Sequence, residues 1–274
     1  MPMHDTALLG AALGSVVGVI LALTGAGGGI VAVPLLVFGL GVDVATASPV
    51  GLVAVGLAAA LGTWLGLREA RVRYKAAALM ALSGSLASPA GLWLARRIPN
   101  TPLMLLFSIL LLYVAWRLLQ QANNGAQPHP EARRHEPACH LDPVRGKLAW
   151  SAPCARALAT SGLVAGLLSG LLGVGGGFVV VPALRRASDI PMEGIIATSL
   201  AVIALVSATG VVASAASGHM PWAVAIPFAA GAVAGMLGGR RIARHLSAAK
   251  IQKSFATFAG MVAIGMAAKA LFGS

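Results

Sequence analysis

The chain has 274 residues, of which 58% are apolar and only 10% charged, and its mean hydropathy is +0.85. A soluble domain carries about 25% charged residues, so this chain lacks the polar surface to coat a globule and reads as a membrane protein. The formal net charge of +12 does not signify nucleic acid, because the cations gather at the ends of apolar runs rather than in a basic stripe beside aromatics.

The first apolar run covers residues 7–23 and is preceded only by His4 and Asp5, with no basic n-region, so it is expected to be a membrane segment and not a cleaved signal. Runs at 30–40, 45–67, 76–95 and 103–119 follow. After a polar, proline-bearing stretch come five more, at 157–172, 178–184, 192–216, 222–238 and 251–271. Three runs in each half are expected to span about 30 Å of hydrocarbon at 1.5 Å per residue. The second run of each half is too short. Residues 30–40 would reach only about 17 Å as a helix, which suggests a broken or re-entrant element.

The two halves repeat. Residues 24–36 read TGAGGGIVAVPLL and residues 172–184 read LGVGGGFVVVPAL, identical at eight of thirteen positions. Ala47-Ser48 falls opposite Thr198-Ser199, and Arg96-Arg97 opposite Arg240-Arg241. Equivalent loops carry opposite charge bias. The loop holding Arg68, Arg71, Arg73 and Lys75 is basic, whereas its mate at 217–221 has no Lys or Arg. The loop at 240–253 holds Arg240, Arg241, Arg244, Lys250 and Lys253, whereas its mate at 96–101 has two arginines. Inverted-topology repeats produce this bias. The expected fold is therefore all-α: a polytopic transmembrane bundle of two inverted repeats, 1–119 and 154–274, joined by a hydrophilic linker at 120–153. With both basic clusters and the linker in the cytoplasm, Arg96 and Arg97 fall on the opposite side. Cys139 and Cys154 would then lie in a reducing compartment as free thiols.

The glycine run is neither a dinucleotide fingerprint nor a phosphate loop, since no G-x-G-x-x-G follows a strand and the Lys-Ser/Thr pair is missing. Any one glycine suits close helix packing. Three together, duplicated before a short helix, break the chain and turn backbone N–H groups and a positive dipole end toward an anion. The candidate substrate-binding residues are Gly27, Gly28, Gly29 and Ser48 in the first half, with Gly175, Gly176, Gly177, Thr198 and Ser199 in the second. Thr24, Thr46 and Ser169 are weaker candidates, because hydroxyls in membrane helices commonly bond a carbonyl one turn back. Pro34 and Pro182 are expected to set helix geometry.

Asp43, Asp189 and Glu193 lie at segment ends, so no carboxylate within a span offers itself to a cation or a proton relay. An anion leaving a negative interior gains about 2.3 kcal/mol per charge per 100 mV, which supports export on potential alone. In the linker, His129, His135, Cys139 and His140 match no standard zinc spacing, so no metal or other cofactor is expected. Ser83, Ser161, Ser169 and Ser217 precede glycine without the G-x-S-G context of a serine intramembrane protease, and no embedded Asp pair exists, so no enzyme is expected. The competing reading is an accessory subunit of a larger membrane complex.

The duplicated G-x-G-G-G-x-x-x-V-P pattern, at residues 25–34 and 173–182, resembles the sulfite exporter TauE/SafE family. The resemblance spans nearly the whole chain outside the linker. It implies a multi-pass permease of the bacterial inner membrane, and cargoes such as sulfite, sulfonates including sulfoacetate, or related small organic anions. Expected partners are thus a small anion and the lipid bilayer, with no nucleic acid and with room left for a homo-oligomer.

Overall fold

The computed structural model describes residues 3–25, 27–123, 139, 151–218, 220–243 and 248–272. Ten helices account for nearly all of them: α1 (Met3–Thr24), α2 (Gly27–Gly39), α3 (Val44–Arg68), α4 (Tyr74–Arg97), α5 (Asn100–Asn123), α6 (Ala152–Leu172), α7 (Gly177–Ala187), α8 (Met192–Ala216), α9 (Trp222–Ala243) and α10 (Ala248–Phe272). Eight are long and apolar enough to cross a membrane. That is four in each half rather than the three expected, because helix continues past the apolar runs. α6, for example, begins at residue 152, where the Ser151 hydroxyl caps it by accepting from the Cys154 N–H at 3.2 Å. The two remaining helices, α2 and α7, have 13 and 11 residues and reach about 20 and 17 Å.

Glycine decides which helices lie side by side. A β-carbon on Gly14 or Gly18 of α1 would run into the Phe228 or Ala232 carbonyl of α9, and one on Gly231 or Gly235 would run into the Ala11 or Ser15 carbonyl in return. α4 and α6 make the same kind of contact, with Gly166 on the Gly84 carbonyl and Gly170 on that of Ser88. Both pairs run parallel. Lipid supplies no hydrophobic drive between helices, so dispersion gained by such close backbone approach holds them together. At the centre α3 and α8 cross antiparallel and are the two most buried spans, with a β-carbon on Gly56 landing 2.9 Å from Ser207 Cβ.

Polar contacts fix the two ends of the bundle. At one end Glu69 of the α3–α4 loop meets Arg240 of α9 at 2.7 Å, and Arg71 meets Glu193 of α8 at 2.9 Å. At the other, Arg96 of α4 donates to the Ser217 hydroxyl at 2.8 Å, and Asn100 donates to Asp43 at 3.2 Å. Arg68, Arg71, Arg73 and Lys75 thus share an end with Arg240 and Arg241. Trp64 and Trp93, on opposite ends, each sit under an arginine one turn on, with Arg68 and Arg97 at 3.8 and 4.8 Å from the ring centres.

The cysteines correct the expectation of free thiols. The Cys139 N–H donates to the Ala187 carbonyl at 2.8 Å, which holds this point of the linker at the C-terminal end of α7, within reach of the first turn of α6. There Cys139 and Cys154 form a disulfide with Cα atoms 4.9 Å apart, both side chains fully buried. His129, His135 and His140, weighed as metal ligands, lie outside the described residues.

Candidate functional site: the meeting helix breaks

The two glycine runs break the chain differently. In the first half the break is narrow: Gly25 takes φ 69°, and Gly27, Gly28 and Gly29 already form the first turn of α2. The Thr24 hydroxyl bridges the gap, donating to the Ile20 carbonyl at 2.8 Å and accepting from the Gly27 N–H at 2.7 Å. In the second half the corresponding residue is Leu172, which has no oxygen to offer. The break widens accordingly. Gly173 ends α6, Gly175 and Gly176 both hold φ 70°, and Gly177 starts α7 with no side chain capping it. Left-handed backbone at consecutive positions is what glycine permits and other residues resist.

These breaks meet in the interior. A β-carbon on Gly29 would strike the Val174 carbonyl, and one on Gly51 would lie 2.9 Å from the Gly173 carbonyl oxygen. Each break also seats on the opposite half. Gly173 packs on Ser48 of α3, and Gly25 packs on Ile196 of α8, where the Ser199 hydroxyl donates to the Gly25 carbonyl at 3.2 Å. The N-terminal ends of α2 and α7 therefore lie beside one another in buried surroundings. First-turn N–H groups lack helical acceptors and carry the positive end of the helix dipole. Of the acidic side chains described, Asp43, Glu69 and Asp189 lie outside the spans, and Glu193 is the second residue of α8, at its outer end, where it pairs with Arg71.

The candidate hydroxyls have the following partners. Ser48 donates to the Val44 carbonyl at 2.8 Å, one turn back. Thr198 accepts the Arg73 backbone N–H at 3.0 Å, tying α8 to the α3–α4 loop. Ser199 is divided between Gly25 and the Ile196 carbonyl. Pro34 and Pro182 lie inside α2 and α7. Ser169 is fully buried in the last turn of α6, and its hydroxyl has no partner. Three more buried hydroxyls are unpartnered, those of Ser88, Ser207 and Ser214, and the sequence reading singles out none of them. The signal available was the seven-residue spacing of Ser207 and Ser214 within a span. A β-carbon on Gly175 would lie 3.4 Å from the Ser207 hydroxyl, so this group faces the second break.

An all-helical bundle with eight candidate spans and two broken helices meeting inside it is the architecture of a multi-pass membrane transporter. The profile described as Sulfite exporter TauE/SafE matches residues 10–266, and the chain belongs to that family. It is 29% identical over 238 residues to a "Probable membrane transporter protein" of Xylella fastidiosa (strain Temecula1 / ATCC 700964), covering 86% of this chain and 85% of that one. It is 28% identical over 241 residues to the "Probable membrane transporter protein YunE" of Bacillus subtilis (strain 168), covering 85% and 87%. No solved structure matches.

Proposed function

We propose that the protein exports a small anion, such as sulfite, a sulfonate or a related organic anion, and holds it where the N-termini of α2 and α7 meet. The observation that carries this reading is the apposition of two buried helix starts in a bundle interior where no acidic side chain lies among the described residues. Backbone N–H groups and aligned dipoles suit an oxyanion and repel a cation. The opposed course of the hairpins supports two inverted-topology repeats: α1 runs parallel to α9 and α6 parallel to α4, so α1 and α6 start at opposite ends. Basic residues concentrated at the Glu69 end support a bacterial inner membrane orientation with that end, and the linker, in the cytoplasm. The Cys139–Cys154 disulfide departs from the reduced thiols that compartment favours, and its full burial shields it from soluble reductant.

The test is flux of labelled sulfite, sulfoacetate and sulfate in proteoliposomes under a clamped potential. Saturable, potential-driven movement of one anion is expected, and Gly175→Ala, which strains the α7 start, should reduce it in a correctly inserted protein. No saturable flux of any of the three would refute the reading and favour an accessory subunit.

A further inference from the structure

Ser207, Gly210, Ser214 and Ser217 follow at intervals of three, four and three, so they share one face of α8. The face begins beside the second break, where Ser207 borders Gly175. One turn on, the Ser88 hydroxyl of α4 lies 3.3 Å from where a Gly210 β-carbon would sit. The face ends at Ser217, whose hydroxyl accepts from the Arg96 guanidinium at 2.8 Å. From Ser207 to Ser217 the rise is about 15 Å, the distance from mid-membrane to one surface.

Ser88, Ser207 and Ser214 are fully buried, and their hydroxyls have no partner. Elsewhere in this chain Ser48, Ser83, Ser108 and Ser161 satisfy themselves on a carbonyl one turn back. Each unmet buried hydroxyl costs about 1–3 kcal/mol, and alanine would fill nearly the same space without that cost. The corresponding face of α3 shows that packing does not need them. There the residues are Gly56, Ala59, Thr63 and Gly66, and Thr63 bonds the Ala59 carbonyl at 2.7 Å.

We propose that this face of α8, with Ser88 beside it and Arg96 at its mouth, is the path by which the anion leaves the α7 break. Serine hydroxyls donate to an oxyanion in turn, and Arg96 supplies positive charge at an end of the bundle otherwise poor in it. The proposal rests on the anion-carrier reading, but its test is separate.

Single cysteines would be placed at Ser207, Ser214 and Ser217 in the native chain, whose own cysteines are paired and buried. Outward-facing Val212 of α8 and the fully buried Ala59 of α3 serve as controls. Membrane-impermeant thiosulfonates, one anionic and one cationic, are applied from the Arg96 end, with rates corrected for reaction with a free thiol. Ser214→Cys and Ser217→Cys should react, and Ser207→Cys more slowly, while Val212→Cys and Ala59→Cys do not. The anionic reagent should be favoured about tenfold or more, and Arg96→Gln should abolish that preference. Sulfoacetate should slow the modification of Ser214→Cys. An inert Ser214→Cys, or reaction without anion preference, in a protein that still carries an anion would overturn the path alone. Anion-selective modification of a protein that carries none of the three anions would keep the path and sink the proposed cargo.

Discussion

Gly235 and Gly238 lie one turn apart on α9, and a side chain would meet opposite surroundings at each. A β-carbon on Gly235 would sit 2.8 Å from the Ser15 carbonyl carbon and 2.9 Å from its Cα, while one on Gly238 would find nothing within 4 Å. Carbon–carbon contact is favourable from about 3.5 Å, so Gly235→Ala must push α1 and α9 apart by at least about 0.7 Å. Both surfaces are backbone, and no rotamer change relieves the overlap. Overpacking of this kind costs about 1–3 kcal/mol. Alanine returns up to about 1 kcal/mol of helix propensity at either site, so that term cancels in the comparison. At about 2–4 °C per kcal/mol for a chain of this size, Gly235→Ala should melt about 2–12 °C below Gly238→Ala. Tryptophan fluorescence during heating in detergent reads the transition. Melting within about 1 °C of each other would show that close α1–α9 approach does not hold the bundle together.

Thr24→Leu should lower stability by about 1 kcal/mol, since it removes the acceptor of the Gly27 N–H, and the same melting assay measures it. Thr198→Val leaves the Arg73 N–H without its acceptor and should cost about 1–3 kcal/mol, whereas Thr198→Ser should recover most of the loss. Arg240→Ala breaks the pair with Glu69, but both side chains are about a third exposed, so the change should fall within about 1 kcal/mol. Cys139 and Cys154 should resist alkylation in the intact protein and in denatured protein without reductant, and react once reduced. Mass spectrometry showing alkylation before reduction would mean that the pair is open.

The class of this protein was legible in composition and periodicity, because a run of apolar residues spanning hydrocarbon has only one simple solution, the helix. The duplicated glycine pattern likewise located both breaks and both short helices. It did not reveal that the breaks differ, although the cause is a single position: Thr24 closes one gap with its hydroxyl, and Leu172 leaves the other open. A repeat alignment weights the shared glycines and passes over the one residue that caps.

Other features belong to the tertiary structure alone. Nothing local distinguishes the hydroxyl of Ser48, which bonds its own helix, from that of Ser207, which finds no partner. The difference lies in which neighbouring helix covers each group. Cys139 and Cys154 looked like free thiols because compartment was inferred from charge, whereas pairing depends on the Ala187 carbonyl holding Cys139 at the end of α7, within reach of Cys154 in the first turn of α6. Sequence set the helices, their lengths and their breaks, since backbone hydrogen bonding within a membrane is satisfied inside each segment. Which breaks touch, which hydroxyls remain unsatisfied and where Arg96 reaches were decided only when glycine-lined faces brought separate helices into contact.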